Sequence, residues 1–493
     1  MKRSVVIIGS TMAAMGCLNK LSNFGDPDLK ITLVTEDGLP INQAFVQEFL
    51  TGKIDLCDLN FHSVQWYQER GIDLILDCRV ETIDDNRSEL ILSDGRAIRF
   101  DHLIVDGYSF CQSTDNSCNF TELVDGCSNF EDLERLGPKL QKGKKAIVIG
   151  DSLSVLGVSL SLAARGLSVQ IVDNGEFLLQ PLLDPISSSV VVRRLNLIGI
   201  EVTNGSRVLE IQLDQSNQAN GDATLISLRT EAGEKFRGDM VILVSHGDRS
   251  FLDLLQTGSD CKCFVNHNSG LFRTNGSVIV LDPAVRSSNF KHDFTFRWEV
   301  GEYAANSLLG MSNNWVPRPS VGRVSAPGME LAIYGNSATS EQELDKTLIL
   351  KNEAKNTFKR ITVNDGQITE AVIVGDRDSV RRITAVASGF NLAIDATEIL
   401  FSDPIVAKLN TEFLSGDSIV CECNRVAKSE IESVADKFHG CGNVEPMQLV
   451  IDKTRASTGC GSCREIVKSV VNEFQKRKTV ANELQVGSEL EGV

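Results

Sequence analysis

No stretch of this sequence approaches the roughly 20 consecutive apolar residues that a membrane-spanning helix needs. It has no basic block, and its net charge of −17 argues against nucleic acid or an anionic membrane as a partner. P-loop and Ser-His-Asp signals are missing, and none of the six histidines shows ligand or nucleophile spacing. There is no C-x4-C dithiol, so disulfide reduction has no residues to run on. Aromatic residues make up only 6% of the chain; Trp298 and the others carry no motif and read as core. Thirteen cysteines are an odd number, spread without a framework through 493 residues. Reduced thiols in a cytoplasmic protein are the simplest account.

Four of those cysteines are organised. Cys421-Glu422-Cys423 is followed by Cys460-Gly461-Ser462-Cys463 in a glycine-rich turn. A C-x-C and a C-x-x-C together make a tetrathiolate metal site. Spacing alone leaves an electron-carrying iron–sulfur cluster and a structural zinc both open. The other nine cysteines read as packing residues, with Cys261-Lys262-Cys263 as a surface loop.

The chain is too long for one core, and its patterning divides it. Val5 to Ile8 form a β-branched run of the kind buried on both faces of a parallel sheet; a turn, a helix and a second strand ending at Glu36 complete a βαβ unit. Lys2-Arg3 and the apolar run to Cys17 superficially resemble a lipoprotein signal. Gly9-Ser10-Thr11 interrupts that run, and the strand–turn–helix reading also accounts for the apolar stretch from Ile31 to Glu36. Residues 73–100 alternate like an antiparallel meander. A polar linker, 111–127, precedes a second βαβ unit that starts at Lys145 and ends its second strand at Asp173. Residues 240–245 and 278–281 are short strands expected to return the chain to the first sheet. A proline-bearing linker, 312–327, leads to a hairpin around Asn364-Asp365-Gly366. The expected domains are therefore 1–110 with 245–312, then 128–244, 328–410 and 416–475, with a polar tail at 476–493.

A dinucleotide turn bends on glycines and brings backbone N–H groups to the pyrophosphate at a helix N-terminus. In the first unit the three positions are Gly9, Thr11 and Ala14, with Glu36 placed for the ribose hydroxyls. In the second they are Gly150, Ser152 and Val155, with Asp173 as the ribose acid. Thr11 stands where the phosphates need bare backbone, and Val155 crowds the helix against the sheet. Both turns also admit a plain structural reading. With no arginine after Asp173, any nucleotide preference leans to NADH.

The order of these parts resembles the N-terminal half of NAD(P)H-dependent assimilatory nitrite reductase large subunits. It is similar too to the electron-transfer subunit of bacterial assimilatory nitrate reductases. The most specific piece is Val420-Cys-Glu-Cys-Asn424 with Lys428, then Thr454-Arg-Ala-Ser-Thr-Gly-Cys-Gly-Ser-Cys463. That looks like a bacterioferritin-associated-ferredoxin (BFD)-type [2Fe–2S] module, with a loop insertion around residues 438–443. The resemblance implies an α/β fold with two Rossmann-like, glutathione-reductase-like FAD- and NAD(P)-binding domains. It also implies a small α+β domain and a C-terminal helical BFD-like [2Fe–2S] domain.

By carry-over, Cys421, Cys423, Cys460 and Cys463 hold the cluster. Gly9, Thr11, Ala14, Glu36 and Asp282 meet FAD, and Gly150, Ser152 and Asp173 meet NAD. The family's second flavin contact, Gly-Asp, is Leu281-Asp282 here; its Ala-Thr-Gly is Val105-Asp106-Gly107, and its Asn-Arg pair is Asn42-Gln43. The implied function is electron transfer from NAD(P)H through FAD and the cluster to a terminal reductase, the catalytic subunit of a nitrate reductase; a homodimer is compatible with it. No side chain is required as an acid or base. Two other readings stay open: a degenerate, non-enzymatic member that keeps the fold and cluster, and a zinc-stapled interaction module.

Overall fold

Val5 to Ile8 are all buried at 4% exposure or less, as a strand inside a parallel sheet requires. Each such side chain contributes about 1.5–3 kcal/mol relative to exposure. In the computed structural model the described residues are 2–84, 87–106, 123–180, 182–213, 225–244, 264–266, 271–274, 278–281, 294–311, 321–335, 346–387, 396–401, 414–421, 424–437, 445–457 and 463–490. They fall into two compact units, Met1–Ile383 and Thr384–Val493.

The first unit opens on a seven-stranded sheet. Its parallel strands lie in the order Val278–Leu281, His102–Asp106, Arg3–Ile8, Leu29–Val34 and Asp73–Ile75, with an antiparallel ribbon, Phe264–Asn266 and Leu271–Thr274, at one edge. Asp73–Ile75 was expected in the meander but pairs in parallel with Leu29–Val34. Tyr67, just upstream, is fully buried and its carbonyl accepts from Ile72 N, which brings the chain back along the sheet. The antiparallel meander is confined to Val80–Asp84, Glu89–Leu92 and Ala97–Arg99.

The helix Met12–Phe24 crosses Phe294–Leu308 where two glycines let the backbones approach. A Cβ on Gly16 would stand 3.1 Å from Trp298 Cα; one on Gly301 would stand 2.7 Å from Cys17 N.

A second parallel sheet has the order Ile200–Thr203, Ser168–Val172, Lys145–Ile149, Met240–Leu243 and Val124–Asp125. The expectation that residues 240–245 rejoin the first sheet is corrected here; only Val278–Leu281 does so. Asp239 is the reason. Its N–H donates to Lys145 O (2.8 Å), its carboxylate accepts from Lys145 N (2.7 Å), and it pairs with Lys144 Nζ (2.9 Å). That clamp delivers the next strand beside Lys145–Ile149. Ile41, Phe45, Phe49, Leu50 and Leu59 of the first fold pack in the apolar core of the second, and Arg165 of the helix Leu153–Arg165 donates to the carbonyls of Phe49 and Leu50 (3.2 and 3.4 Å).

A five-stranded antiparallel sheet completes the unit, from Val321–Ala326 to Val374. Its first strand lies in what read as linker, and pairs with Met329–Tyr334. The expected hairpin is present as Thr357–Asn364 and Gln367–Val374, with positive φ at Asp365 (50°) and Gly366 (76°), the requirement of a two-residue type I′ turn. The sheet docks on the helix Pro185–Leu197 through Arg360 Nη1 to Asp184 Oδ2 (2.8 Å) and Arg194 Nη1 to Asn356 O (2.8 Å).

The second unit pairs Ile419–Cys421 with Val426–Ala427 and continues into helices Lys428–Asp436, Pro446–Thr454 and Arg464–Leu490. The last helix runs through what read as a tail. Val420, Val426, Ile431, Val450, Val467 and Val470 form the core beneath the cysteines. Among the described residues, no helix is long and apolar enough to cross a membrane.

Candidate functional site

The two βαβ turns have the same construction. Gly9 N donates to Val34 O (2.9 Å) and Gly150 N to Val172 O (3.4 Å), so in each unit the first glycine ties the turn to the end of the second strand. Gly9 sits at φ 118°, a conformation that side chains disfavour. Ala14 is fully buried against the sheet and small enough for that contact. Glu36 is exposed beyond the end of its strand. Beside it, burial first, and then the charges of Glu36, Asp132, Glu131 and Asp77, push the Asp37 carboxyl up to about 6.

Thr11 does not stand idle in its turn. It is the N-cap residue of Met12–Phe24, its hydroxyl accepting from Ala13 N (3.3 Å). Its own N–H and Oγ1 both donate to Asp106 Oδ2, at 3.0 and 2.5 Å. Asp106 is fully buried at the C-terminal end of the neighbouring strand. Asp282 lies outside the described residues.

In the second unit Ser152 precedes the helix at 4% exposure, and its Oγ finds no partner among the described residues. An orphaned hydroxyl at a helix N-terminus is a donor suited to phosphate. A Cβ on Gly150 would stand 2.9 Å from Val155 Cγ2 and closer still to the Val244 carbonyl, so only glycine fits at this point of the turn. Asp173 is placed differently from the expectation of an open ribose acid. It is fully buried, and its oxygens accept from Gly175 N (2.8 Å) and Leu179 N (2.9 Å). Burial raises its pKa against the pull of those two bonds. Its carboxylate pins its own loop.

In the second unit of the chain, Cys421 and Cys463 are buried together. Their sulfurs hydrogen-bond, and the amides of Ser457 and Asn424 also point at Cys421; these hold its thiol below the usual range although burial pushes it up. Asn424 Nδ2 reaches Cys421 Sγ (3.6 Å) and Arg455 O (2.6 Å). Ser457, at φ 70°, has a buried Oγ without a partner among the described residues. Cys423 and Cys460 lie outside the described residues. A buried pair of sulfurs facing amides suits an anionic thiolate cluster. Asn424 and Ser457 could have been picked from their position beside the cysteine pairs. Asp106 stands out in the sequence as a departure from the family's Ala-Thr-Gly, but its bond to Thr11, 95 residues away, has no local signal.

Two dinucleotide folds, a small β domain and a cysteine-bearing helical module define a flavoprotein-type pyridine nucleotide oxidoreductase frame. The chain belongs to the pyridine nucleotide-disulphide oxidoreductase family, whose model matches residues 3–283. Residues 419–473 match the BFD-like [2Fe–2S] binding domain. It is an oxidoreductase of the FAD- and NAD(P)H-binding class, and these two matches support FAD, NAD(P)H and a [2Fe–2S] cluster as its cofactors.

Among curated relatives, it is 21% identical to an NAD(P)H nitrite reductase of Bacillus subtilis over 95% of this chain and 57% of that one. It is 22% identical to the NADH nitrite reductase large subunit of Escherichia coli over 83% of this chain and 48% of that one. The chain thus spans about half the length of these relatives. Among solved structures, the covalent putidaredoxin reductase–putidaredoxin complex superposes with a TM-score of 0.64 at 17% identity, covering 82% of this chain and 99% of that one. The NADH-bound water-forming NADH oxidase of Lactobacillus brevis gives 0.61 at 13% identity, over 96% and 99%. Those likenesses show the fold.

Proposed function

We propose that this protein is an electron relay from NAD(P)H to a partner reductase of nitrate or nitrite assimilation. The observation that carries the reading is the polar cage around Cys421, in a module joined to two dinucleotide folds on one chain. When bound, FAD supplies conversion of a hydride's electron pair into single electrons, and the cluster supplies a one-electron relay. The chain's own contribution is positioning. The Gly9 turn and Glu36 would hold the flavin's pyrophosphate and ribose, with Asp282 as a further contact. The Gly150 turn and Ser152 Oγ would hold the nicotinamide dinucleotide, leaning to NADH. Cys421, Cys423, Cys460 and Cys463 would hold the cluster, with Asn424 and Ser457 donating to its sulfurs.

No described side chain has to move a proton, which agrees with the sequence's lack of a dithiol or a spaced histidine. The nitrite reductase relatives support the pathway, and the reductase–putidaredoxin complex supports a protein as acceptor. The catalytic subunit of a nitrate reductase is the acceptor this reading names.

The test is a visible absorbance spectrum of anaerobically purified protein supplied with FAD, before and after NADH. Flavin bands on a cluster background, bleached by NADH and restored by the nitrate reductase subunit, are expected. A cluster spectrum indifferent to NADH, or a colourless protein with one zinc, would overturn the relay.

A further inference from the structure

The N-terminus of Met12–Phe24 is where a βαβ unit offers amides and the positive end of its helix dipole to a dinucleotide pyrophosphate. In this chain a carboxyl group already sits there. His102–Asp106 runs parallel to Arg3–Ile8, so its last residue ends beside the turn. One oxygen of Asp106 takes both the N–H and the hydroxyl of Thr11, and that hydroxyl in turn accepts from Ala13 N. The carboxylate therefore takes both donors of the N-cap residue and, through its hydroxyl, is linked to the Ala13 amide. Neither Asp106 nor Thr11 is more than 3% exposed, so water does little to screen them.

We propose that Asp106 sets the affinity of the first fold for FAD, competing with the pyrophosphate for the helix N-terminus and so making the flavin an exchangeable ligand. The inference rests on reading the chain as an FAD-binding oxidoreductase. Its physical content is twofold. The Thr11 amide and hydroxyl must leave Asp106 before they can serve a phosphate, and a buried negative charge remains next to the incoming one. Flavin bound under those conditions should be lost on dilution or gel filtration, while the cluster stays.

The experiment is a titration of deflavinated full-length protein with FAD, read by quenching of flavin fluorescence, for wild type, Asp106→Asn and Asp106→Thr. Asn keeps the shape and an acceptor oxygen without the charge; Thr keeps a short polar side chain. Both variants are expected to bind FAD at least ~10-fold more tightly, the factor that ~1.4 kcal/mol gives, chiefly through slower release. Far-UV circular dichroism checks folding, and either folded variant alone decides the question.

Variants that bind within ~2-fold of a tightly binding wild type, or more weakly, overturn the role of Asp106 and leave the FAD reading standing. A weakly binding wild type with tightly binding variants supports it. If neither wild type nor folded variants bind FAD, both the inference and the reading under it fail.

Discussion

Replacing Gly301 by alanine tests whether the two helices of the first nucleotide fold are locked by backbone contact. The new Cβ would lie 2.7 Å from Cys17 N and closer still to the Ala13 carbonyl oxygen, against an ordinary contact of ~3.5 Å. Both obstacles are backbone atoms of Met12–Phe24, so no rotamer change can clear them. The helices must part by roughly 1 Å, and a gap of that size forfeits a quarter to a half of each contact along the face. Ala13, Ala14, Cys17, Trp298, Ala304 and Ala305 all lie in that buried cluster. Overpacking of this kind costs about 3 kcal/mol.

The assay is urea unfolding followed by tryptophan fluorescence, with Gly16→Ala and the double variant alongside. Gly16→Ala pushes on the Trp298 backbone across the same seam. The double variant should therefore cost less than the sum of the singles, because the first separation makes room for the second. A Gly301→Ala protein within ~0.5 kcal/mol of wild type would refute the argument.

Two further outcomes are expected. Asn424→Ala removes the side-chain donor to Cys421, which favours the more negative, reduced cluster. At ~1 kcal/mol the midpoint should fall by roughly 40 mV in an EPR-monitored redox titration of the holoprotein, and an unchanged potential would show that the contact does not tune it. Asp37 has a folded-state pKa of about 6, above the ordinary 3.8, so its ionised form destabilises the fold above that value and the penalty disappears as pH falls through the window. Discounted for its partial exposure, Asp37→Asn should gain ~1 kcal/mol near neutral pH and lose that advantage by about pH 4; thermal melts across the range check both the size and the sign.

What could be read from the sequence was local. The run Val5 to Ile8, the paired βαβ units and the Asn364-Asp365-Gly366 turn each have their cause within a few residues, and each is in place. The cysteine module was legible because its ligand spacing is specific, and the family match falls on those residues. Other features depend on partners far along the chain. Asp73–Ile75 looks like any short alternating strand until Leu29–Val34 lies beside it. Val321–Ala326 sits in a proline-bearing stretch and is a strand because Met329–Tyr334 pairs with it. Thr11 reads as an obstruction in a phosphate turn, and only the return of His102–Asp106 shows that it has a carboxylate to serve. Asp173 shows the opposite case. Its position matches a ribose acid, and the amides of Gly175 and Leu179, close by in sequence, also bond its carboxylate.

The first sheet is built from chain segments that the whole second sheet separates, and this sets an order of events on the ribosome. Met12–Phe24 emerges early, yet the helix that covers it begins only at Phe294. At ~5–20 residues per second that interval is roughly 15–55 s. Meanwhile the second parallel sheet has all its strands between Val124 and Leu243 and can close first. The nascent N-terminal half must therefore wait with its Gly16 face bare, open to chaperones. Truncation before residue 294 should leave a folded second sheet beside an unfinished first one.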